Sequence, residues 1–130
     1  MKIAFAAKAH VYDLVSGRYF GHTDTVELPV FNENLSVMLT LLKEKALPPK
    51  VTVKGSTVTA LFSKKYAAAV NIRLFDPAGK EVKHYNKRLA AENGAVIYTV
   101  PFAPSDAKGK WLVLLTDVIT RKTILVLLTR

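Results

Sequence analysis

Three histidines, His10, His22 and His84, are the residues of this chain best suited to bind a transition metal. If the chain turns back on itself at Ser16-Gly17, His10 and His22 lie almost opposite each other on two paired strands. Two imidazoles in that position can share a metal ion, but the sequence shows no third ligand. We therefore predict ordinary surface histidines, with no metal site and no cofactor.

Three aspartates, Asp76, Asp106 and Asp117, each stand where a predicted strand meets a turn. Carboxylates on loops can gather around Ca²⁺. The chain has no acid-rich calcium loop, however, and it is basic overall. The sequence therefore favours the capping of turn amides as the role of these carboxylates.

The patterns that accompany nucleophilic and phosphate chemistry are absent from the sequence. There is no Gly-x-Ser-x-Gly nucleophile turn and no glycine-rich phosphate loop. No pair of carboxylates is marked by its spacing for glycoside hydrolysis. The chain also has no cysteine, which excludes thiolate chemistry and disulfides. We therefore predict that the chain is not an enzyme.

Charge is the one compositional feature that suggests a partner. The chain has 19 Lys and Arg against 10 Asp and Glu, a formal net charge of +9, and counterion release drives basic proteins onto phosphate backbones. The basic residues are spread along the chain, in pairs such as Lys87-Arg88 and Arg121-Lys122. The aromatic residues do not interleave with arginines as a stacking platform requires. The pattern favours a solvated basic surface and argues against nucleic acid, with polyanion or nucleic-acid binding through the basic surface kept as the second alternative.

Apolar and polar residues alternate with a period of two along most of the chain, which is typical of β-strands. The alternation is clearest at Val51 and Val53, in residues 70–75 and in residues 96–100. Short intervals between turns predict a sandwich or barrel, and we see no internal repeat. The predicted turns include Ser16-Gly17, Asn32-Glu33-Asn34, Gly55-Ser56, Asp76-Pro77-Ala78-Gly79 and Glu92-Asn93-Gly94.

Residues 35–45 are the only segment whose composition also allows a helix. Apolar residues also occupy alternate positions, at Leu35, Val37, Leu39 and Leu41, and the surroundings of the segment are all β. We therefore predict a strand in this segment.

Two adjacent prolines, Pro48 and Pro49, predict a short stiff linker, because neither can donate to a strand ladder. The linker divides an N-terminal β-hairpin or meander piece, residues 1–46, from a β-sandwich, residues 51–130. The first piece is too short for an independent core. We expect it to pack on the second piece or on a surface outside this chain.

An apolar stretch at the N-terminus is interrupted by Lys8 before it reaches the roughly 7–15 residues of a secretory signal core. No later run approaches the roughly 20 apolar residues that span a bilayer. We expect no membrane span, and an extracytoplasmic location only if a longer parent protein is exported.

Two stretches resemble modules of larger bacterial proteins. Residues 10–24 resemble a "VYD-x-x-(S/T)-G-(K/R)-Y-x-G-x-T-D" hairpin found in C-terminal β-rich regions of large bacterial proteins, several of them related to glycoside hydrolases of the β-galactosidase type. Residues 75–82, 84–85, 109–111 and 116–118 resemble the immunoglobulin-like module that follows such a hairpin. The second pattern also recurs in macroglobulin-like and other bacterial β-sandwich domains.

This resemblance implies an immunoglobulin-like β-sandwich that is a fragment or accessory domain of a larger carbohydrate-active or cell-surface protein. Its motifs mark turns and a core tryptophan, Trp111. No catalytic carboxylates carry over, because the hydrolase barrel is absent from this chain. The leading function is a structural or interaction module, and the alternative is a carbohydrate-binding module. Tyr19, Phe20 and Tyr85 are the candidate sugar-binding residues, since each lies near a turn.

Two apolar runs near the C-terminus predict an interface. Leu112 and Leu114 alternate with the expected core residues of their strand, and Leu125 and Leu127 do the same in the next strand. A strand with one solvated face would carry polar residues at these positions. We therefore expect the outer face of residues 110–129 to be covered, either by residues 37–41 or by a second copy of the chain.

Overall fold

The computed structural model describes residues 1–28, 37–63 and 66–130. These residues form strands, turns and a short 3₁₀ turn at Lys83–Tyr85, with no α-helix among them, so the all-β prediction is confirmed. The chain divides into two compact units, Met1–Ala46 and Leu47–Arg130. We call them the front unit and the back unit.

Three antiparallel strands form the sheet of the front unit. From edge to edge they are β2 (Tyr19–Glu27), β1 (Lys2–Asp13) and β3 (Leu39–Leu42). The strand predicted in residues 35–45 is confirmed over β3, while residues 35 and 36 and the turn predicted at residues 32–34 lie outside the described residues. The β1–β2 register shifts between Ala4 and Ala9 and again between Val11 and Tyr12, so both strands bend.

The carboxylate of Asp13, which is 5% exposed, holds the turn between β1 and β2. It accepts hydrogen bonds from the Val15 N–H at 2.9 Å, the Ser16 hydroxyl at 2.6 Å and the Met38 N–H at 3.2 Å. Gly17 follows with a φ of 78°, which glycine adopts at little steric cost. Burial would raise the pKa of Asp13, but these hydrogen bonds outweigh burial and hold the pKa below its usual value.

Two antiparallel sheets form a sandwich in the back unit. One contains β4 (Lys50–Lys54), β5 (Thr57–Leu61) and β8 (Ala95–Thr99), in that order. The other contains, from edge to edge, β10 (Thr123–Thr129), β9 (Lys110–Asp117), β6 (Ala69–Phe75) and β7 (Lys87–Ala90).

The inward-facing residues of both sheets form one core, because alternate side chains of a strand point to the same face. Trp111 is 1% exposed, and its indole N–H donates a 2.9 Å hydrogen bond to the Ala107 carbonyl, which confirms the prediction that Trp111 anchors the core. Aliphatic side chains from both sheets surround it. They include Val58, Ala60, Val70, Ile72, Leu74, Val96, Val113, Leu115 and Leu128.

The fourth strand of the back unit, β7, distinguishes this sandwich from the constant-type immunoglobulin arrangement. In that arrangement the fourth strand joins the sheet of the first, second and fifth strands. Here β7 pairs with β6, the third strand, on the opposite sheet. The layers are immunoglobulin-like, but β8 is left as an edge strand.

The turn between β9 and β10 is capped by Asp117, which is 0% exposed. Its carboxylate accepts hydrogen bonds from the Ile119 N–H at 3.2 Å and the Thr120 hydroxyl at 2.7 Å. Its backbone N–H donates to the Lys122 carbonyl at 2.9 Å, which closes the hairpin. Arg121 has a φ of 62° in this turn.

This turn repeats the turn of the front hairpin, a repetition that was not predicted from the sequence. The two segments are Asp13-Leu14-Val15-Ser16 and Asp117-Val118-Ile119-Thr120. In both, the aspartate accepts from the amide two residues on and from the hydroxyl three residues on. The sequence signal is an aspartate with a β-branched residue two positions on and a hydroxyl residue three positions on, which is too short to stand out as a repeat.

We predict that Asp117→Ala destabilises the back unit by about 1–3 kcal/mol, because a buried amide and a half-buried hydroxyl lose their acceptor. Urea denaturation followed by the fluorescence of Trp111, the one tryptophan of the chain, measures this loss. Asp76→Ala is the matched control, since Asp76 accepts from two amides in an exposed turn. Water can replace those bonds, so we expect a loss below about 1 kcal/mol. Equal losses in the two variants would contradict the assignment.

Candidate functional site

The outer face of the four-stranded sheet carries the leucines that the sequence analysis marked as an interface. In β9, Trp111, Val113 and Leu115 are buried, whereas Leu112 and Leu114 are half-buried on the opposite face. This confirms the predicted alternation of the strand.

In β10, Leu125 is 63% exposed and Leu127 is 54% exposed. The strand register places Leu125 opposite Leu114 and Leu127 opposite Leu112. Since directly paired residues of antiparallel strands share a face, the four side chains form one continuous patch. We call this patch, Leu112, Leu114, Leu125 and Leu127, the leucine face. That a second surface covers it stays a prediction.

Next to the leucine face, β6 supplies a mixed aromatic and ionic rim. Phe75 pairs with Leu112, and Arg73 pairs with Leu114. The Arg73 guanidinium lies 5.2 Å from the centre of the Phe75 ring and forms a 2.9 Å ion pair with Glu81. The hydrogen bond from Arg73 lowers the pKa of Glu81, so the pair stays ionised. An apolar centre beside a charged rim is the usual composition of a protein contact surface.

In the front unit, aromatic and imidazole rings form a row along the β1–β2 hairpin. His10 and His22 are paired across the strands, as predicted, and their rings stack 4.6 Å apart. Tyr12 pairs with Tyr19, and their rings stack 4.7 Å apart. The Nδ1 atom of His10 lies 2.7 Å from the Tyr19 hydroxyl oxygen, a hydrogen bond whose donor depends on the imidazole tautomer. We call these four residues the ring row.

Positive charge lies beside the exposed end of the ring row. The Lys45 Nζ atom lies 5.4 Å from the centre of the Tyr19 ring, and Tyr19 itself is 37% exposed. Desolvation lowers the pKa of His10, and the positive charges of His22 and Lys45 lower it further. The row therefore presents one accessible phenol ring and an imidazole that resists protonation.

Phe20 follows Tyr19 and is half-buried. The Arg18 guanidinium lies 4.4 Å from the centre of its ring. Both candidate rings thus have a cation beside one face, Arg18 at Phe20 and Lys45 at Tyr19, and Tyr19 is the more exposed of the two.

Tyr85 does not lie on the surface, which corrects its place among the candidate sugar-binding residues. It is 4% exposed and packs against His84, Phe102 and Trp111 at ring-centre distances of 4.2, 5.7 and 6.0 Å. Its hydroxyl donates a hydrogen bond to Asp106, which raises the pKa of Tyr85. A sugar cannot stack on a ring enclosed in this way. The short 3₁₀ turn at Lys83–Tyr85 directs the side chain inward.

The three aspartates considered as calcium ligands all cap turns, as favoured from the sequence. Asp76 accepts from the Ala78 N–H at 3.0 Å, and Asp106 from the Ala103 N–H at 2.7 Å. The contacts of Asp117 are described above. Within the described residues, no group of three His, Cys, Asp or Glu side chains gathers as a metal site would require.

A groove of about 340 Å³ lies between β7 and β8. Among its described lining residues, Glu92 is the one titratable side chain, beside Asn93, Leu89 and the residues of β8. A lone carboxylate of this kind has no base or nucleophile to act with. We therefore take the leucine face and the ring row as the candidate sites.

Comparison with known proteins gives no match for this chain among protein-family models, curated proteins or solved structures. In the described part of the chain, no helix has the length and apolar character needed to cross a membrane.

We predict that His22→Gln raises the pKa of His10, because the substitution removes one of the positive charges that oppose its protonation. An NMR titration of the His10 ring protons measures the change. The folded-state pKa of His10 lies below the unfolded value of about 6.5, so the unfolded chain binds more protons below that pH. The front unit should therefore lose stability as the pH falls from about 6.5 toward the folded-state pKa. A pKa of His10 that is unchanged or lower in His22→Gln would contradict this electrostatic account.

Proposed function

We propose that the chain is a non-catalytic structural or interaction module and that the leucine face is its contact surface. The observation that carries the proposal is the pairing of Leu125 and Leu127, both more than half exposed, with Leu112 and Leu114 on one outer sheet face. A solvated antiparallel sheet has polar residues at such positions. A contiguous apolar patch with a polar rim is typical of a site that another protein surface covers.

Burial of the leucine face gives a partner a substantial driving force. Complete burial of an exposed leucine side chain is worth about 1.5–3 kcal/mol. The most exposed members, Leu125 and Leu127, contribute most of this, since Leu112 and Leu114 are already half-buried. The rim pair of Arg73 and Glu81 adds orientation more than affinity.

The partner is another domain of a longer parent protein or a second copy of the chain. The resemblance of residues 10–24 and of the back unit to modules of large bacterial proteins, several related to glycoside hydrolases, supports a carbohydrate-active or cell-surface parent. In such a parent, the leucine face forms the interface between this module and the neighbouring domain.

We predict that Leu125→Lys abolishes most of the binding of the neutral apolar dye Nile red, because the charge interrupts the centre of the leucine face. Ile97→Lys is the matched control, since Ile97 is 67% exposed but lies on the other sheet. Dye titration followed by fluorescence measures both variants. Thermal unfolding should change little in either variant, because exposed substitutions stay within about 0.5 kcal/mol. If both variants, or neither, lose dye binding, the leucine face is not the apolar contact surface.

A second function, carbohydrate binding, is favoured by the geometry of the ring row. Tyr12, which is 4% exposed, lies beneath Tyr19, and the two rings stack at 4.7 Å. The Tyr19 hydroxyl is held by His10 at 2.7 Å. A phenol ring fixed in this way and accessible at the surface can stack against the apolar face of a sugar.

We predict that Tyr19→Ala weakens polysaccharide binding about tenfold, the effect of losing about 1.4 kcal/mol of ring stacking. Affinity electrophoresis through gels that contain plant or bacterial polysaccharides measures the retardation. Tyr19→Phe is the matched control, since it keeps the ring and loses only the hydroxyl. Carbohydrate binding is excluded if the unsubstituted chain is not retarded by any of these polysaccharides.

A further inference from the structure

Strand β10 is an edge of the four-stranded sheet, and its hydrogen bonds to β9 leave one side of its backbone open. The Asp117 N–H donates to the Lys122 carbonyl at 2.9 Å, and the Arg130 N–H donates to the Gly109 carbonyl at 2.9 Å. Hydrogen-bonded pairs alternate along an antiparallel ladder. The even-numbered residues of β10 therefore bond to β9, and the odd-numbered residues direct their N–H and C=O groups away from the sheet.

No hydrogen bond joins these outward backbone groups to another described residue. Their side chains are exposed as well, and β4, an edge strand of the facing sheet, lies close to β10 without forming a ladder with it. The residues concerned are Thr123, Leu125, Leu127 and Thr129.

Two of the other edges in the back unit carry charges that oppose pairing with another strand. β4 has Lys50 and Lys54 at its ends and follows Pro48-Pro49, and β7 begins with Lys87-Arg88. Lysine, arginine and proline at such positions are the usual protection of an edge.

The third edge strand, β8, is protected differently, because the backbone segment that could pair with another strand is short. The Ala95 N–H and C=O are bonded to Glu92 at 3.0 and 2.8 Å. Pro101, which has no N–H, lies just beyond the other end. β10 has none of these features: its residues carry no charge and include no proline.

The sequence of β10 reads almost the same from both ends. It is Thr-Ile-Leu-Val-Leu-Leu-Thr forwards and Thr-Leu-Leu-Val-Leu-Ile-Thr backwards, with Val126 at the centre. Two antiparallel copies related by a two-fold axis through Val126 therefore place Thr123 opposite Thr129 and Leu125 opposite Leu127. All of these are outward residues, so each such pair exchanges two backbone hydrogen bonds.

We propose that β10 pairs edge to edge with β10 of a second copy of this chain, about a two-fold axis at Val126. This joins two four-stranded sheets into one continuous sheet and merges the two leucine faces into a single band. The proposal rests on the interaction role proposed above and names a second copy as the partner of the β10 edge, while the merged band of leucines stays on the outer face of the joined sheet. The interface is isologous, so it closes after two copies and does not propagate into a fibre.

The charges at the two ends of β10 are compatible with this pairing. Lys122 and Arg130 flank the strand and oppose each other across the two-fold axis. The Arg130 guanidinium, however, donates to the Ala103 carbonyl and lies 5.8 Å from the centre of the Phe102 ring. Arg130 is thereby held against its own unit, which reduces the repulsion from Lys122.

A single cysteine tests the two-fold axis directly, because the chain has no cysteine of its own. In Val126→Cys the two sulfurs face each other across a non-hydrogen-bonded pair, with Cα atoms about 4.5 Å apart, which is within disulfide range. Ile124→Cys is the matched control. It is also half-buried in β10, but its copies are separated by about 13 Å along the strands, which is four residues of rise.

Under mild oxidation we expect Val126→Cys to form a disulfide-linked dimer at least about tenfold faster than Ile124→Cys. We also expect the unsubstituted chain to elute as a dimer in chromatography with light-scattering detection. Equal crosslinking rates in the two variants, or a monomeric unsubstituted chain, would overturn the proposal.

Two further variants separate failure of this pairing from failure of the interaction role. Leu127→Pro removes an outward N–H but leaves the β9–β10 ladder and an apolar side chain, and it should give a folded monomer. Leu114→Lys places a charge on the leucine face away from the edge, and it should remain a dimer. If Leu114→Lys breaks the dimer and Leu127→Pro does not, another surface covers the leucine face: the edge pairing is then wrong and the interaction role stands. The fluorescence of Trp111 verifies that each variant is folded.

Discussion

The register of the β9–β10 hairpin is the constraint on which the rest of the back unit depends. The buried carboxylate of Asp117 holds the turn, and the bond from its N–H to Lys122 sets which residues of the two strands oppose each other. Because side chains alternate between faces, a shift by one residue would exchange the core and the surface. With the observed register, Trp111 and its neighbours enter the core and the four leucines lie outside. The same register determines which backbone groups of β10 face the open edge.

A similar cap sets the register of the front hairpin, with a different result. Asp13 holds the turn beside the Tyr12–Tyr19 pair, and the register shift between Val11 and Tyr12 then brings His10 opposite His22. In the front unit the fixed register produces a row of rings, and in the back unit it produces a leucine patch. Both candidate sites thus lie on hairpins whose turns are held by a buried aspartate.

Much of this arrangement could be predicted from the sequence, since period-two alternation and turn residues are local signals. They predicted the strands, the core position of Trp111, the opposition of His10 and His22 and the outward direction of Leu112 and Leu114. The burial of Tyr85 could not be predicted, because it depends on a three-residue 3₁₀ turn and on Asp106, which is distant in sequence.

The sheet to which β7 belongs could not be predicted from the sequence either. The residues of β7 are compatible with either sheet. Only the pairing of its backbone with β6 determines the sheet to which β7 belongs. The open edge of β10 also follows from sheet order, which alternation does not encode.

The amide hydrogen exchange of β10, measured residue by residue across a range of protein concentrations, tests the central claim most directly. The account predicts that in dilute solution the amides of residues 124, 126 and 128 are protected and those of Leu125 and Leu127 exchange rapidly. As the concentration rises, Leu125 and Leu127 should become protected too. Uniform protection along β10 in dilute solution would contradict the open edge, and rapid exchange of Leu125 and Leu127 at every concentration would contradict pairing with a second copy.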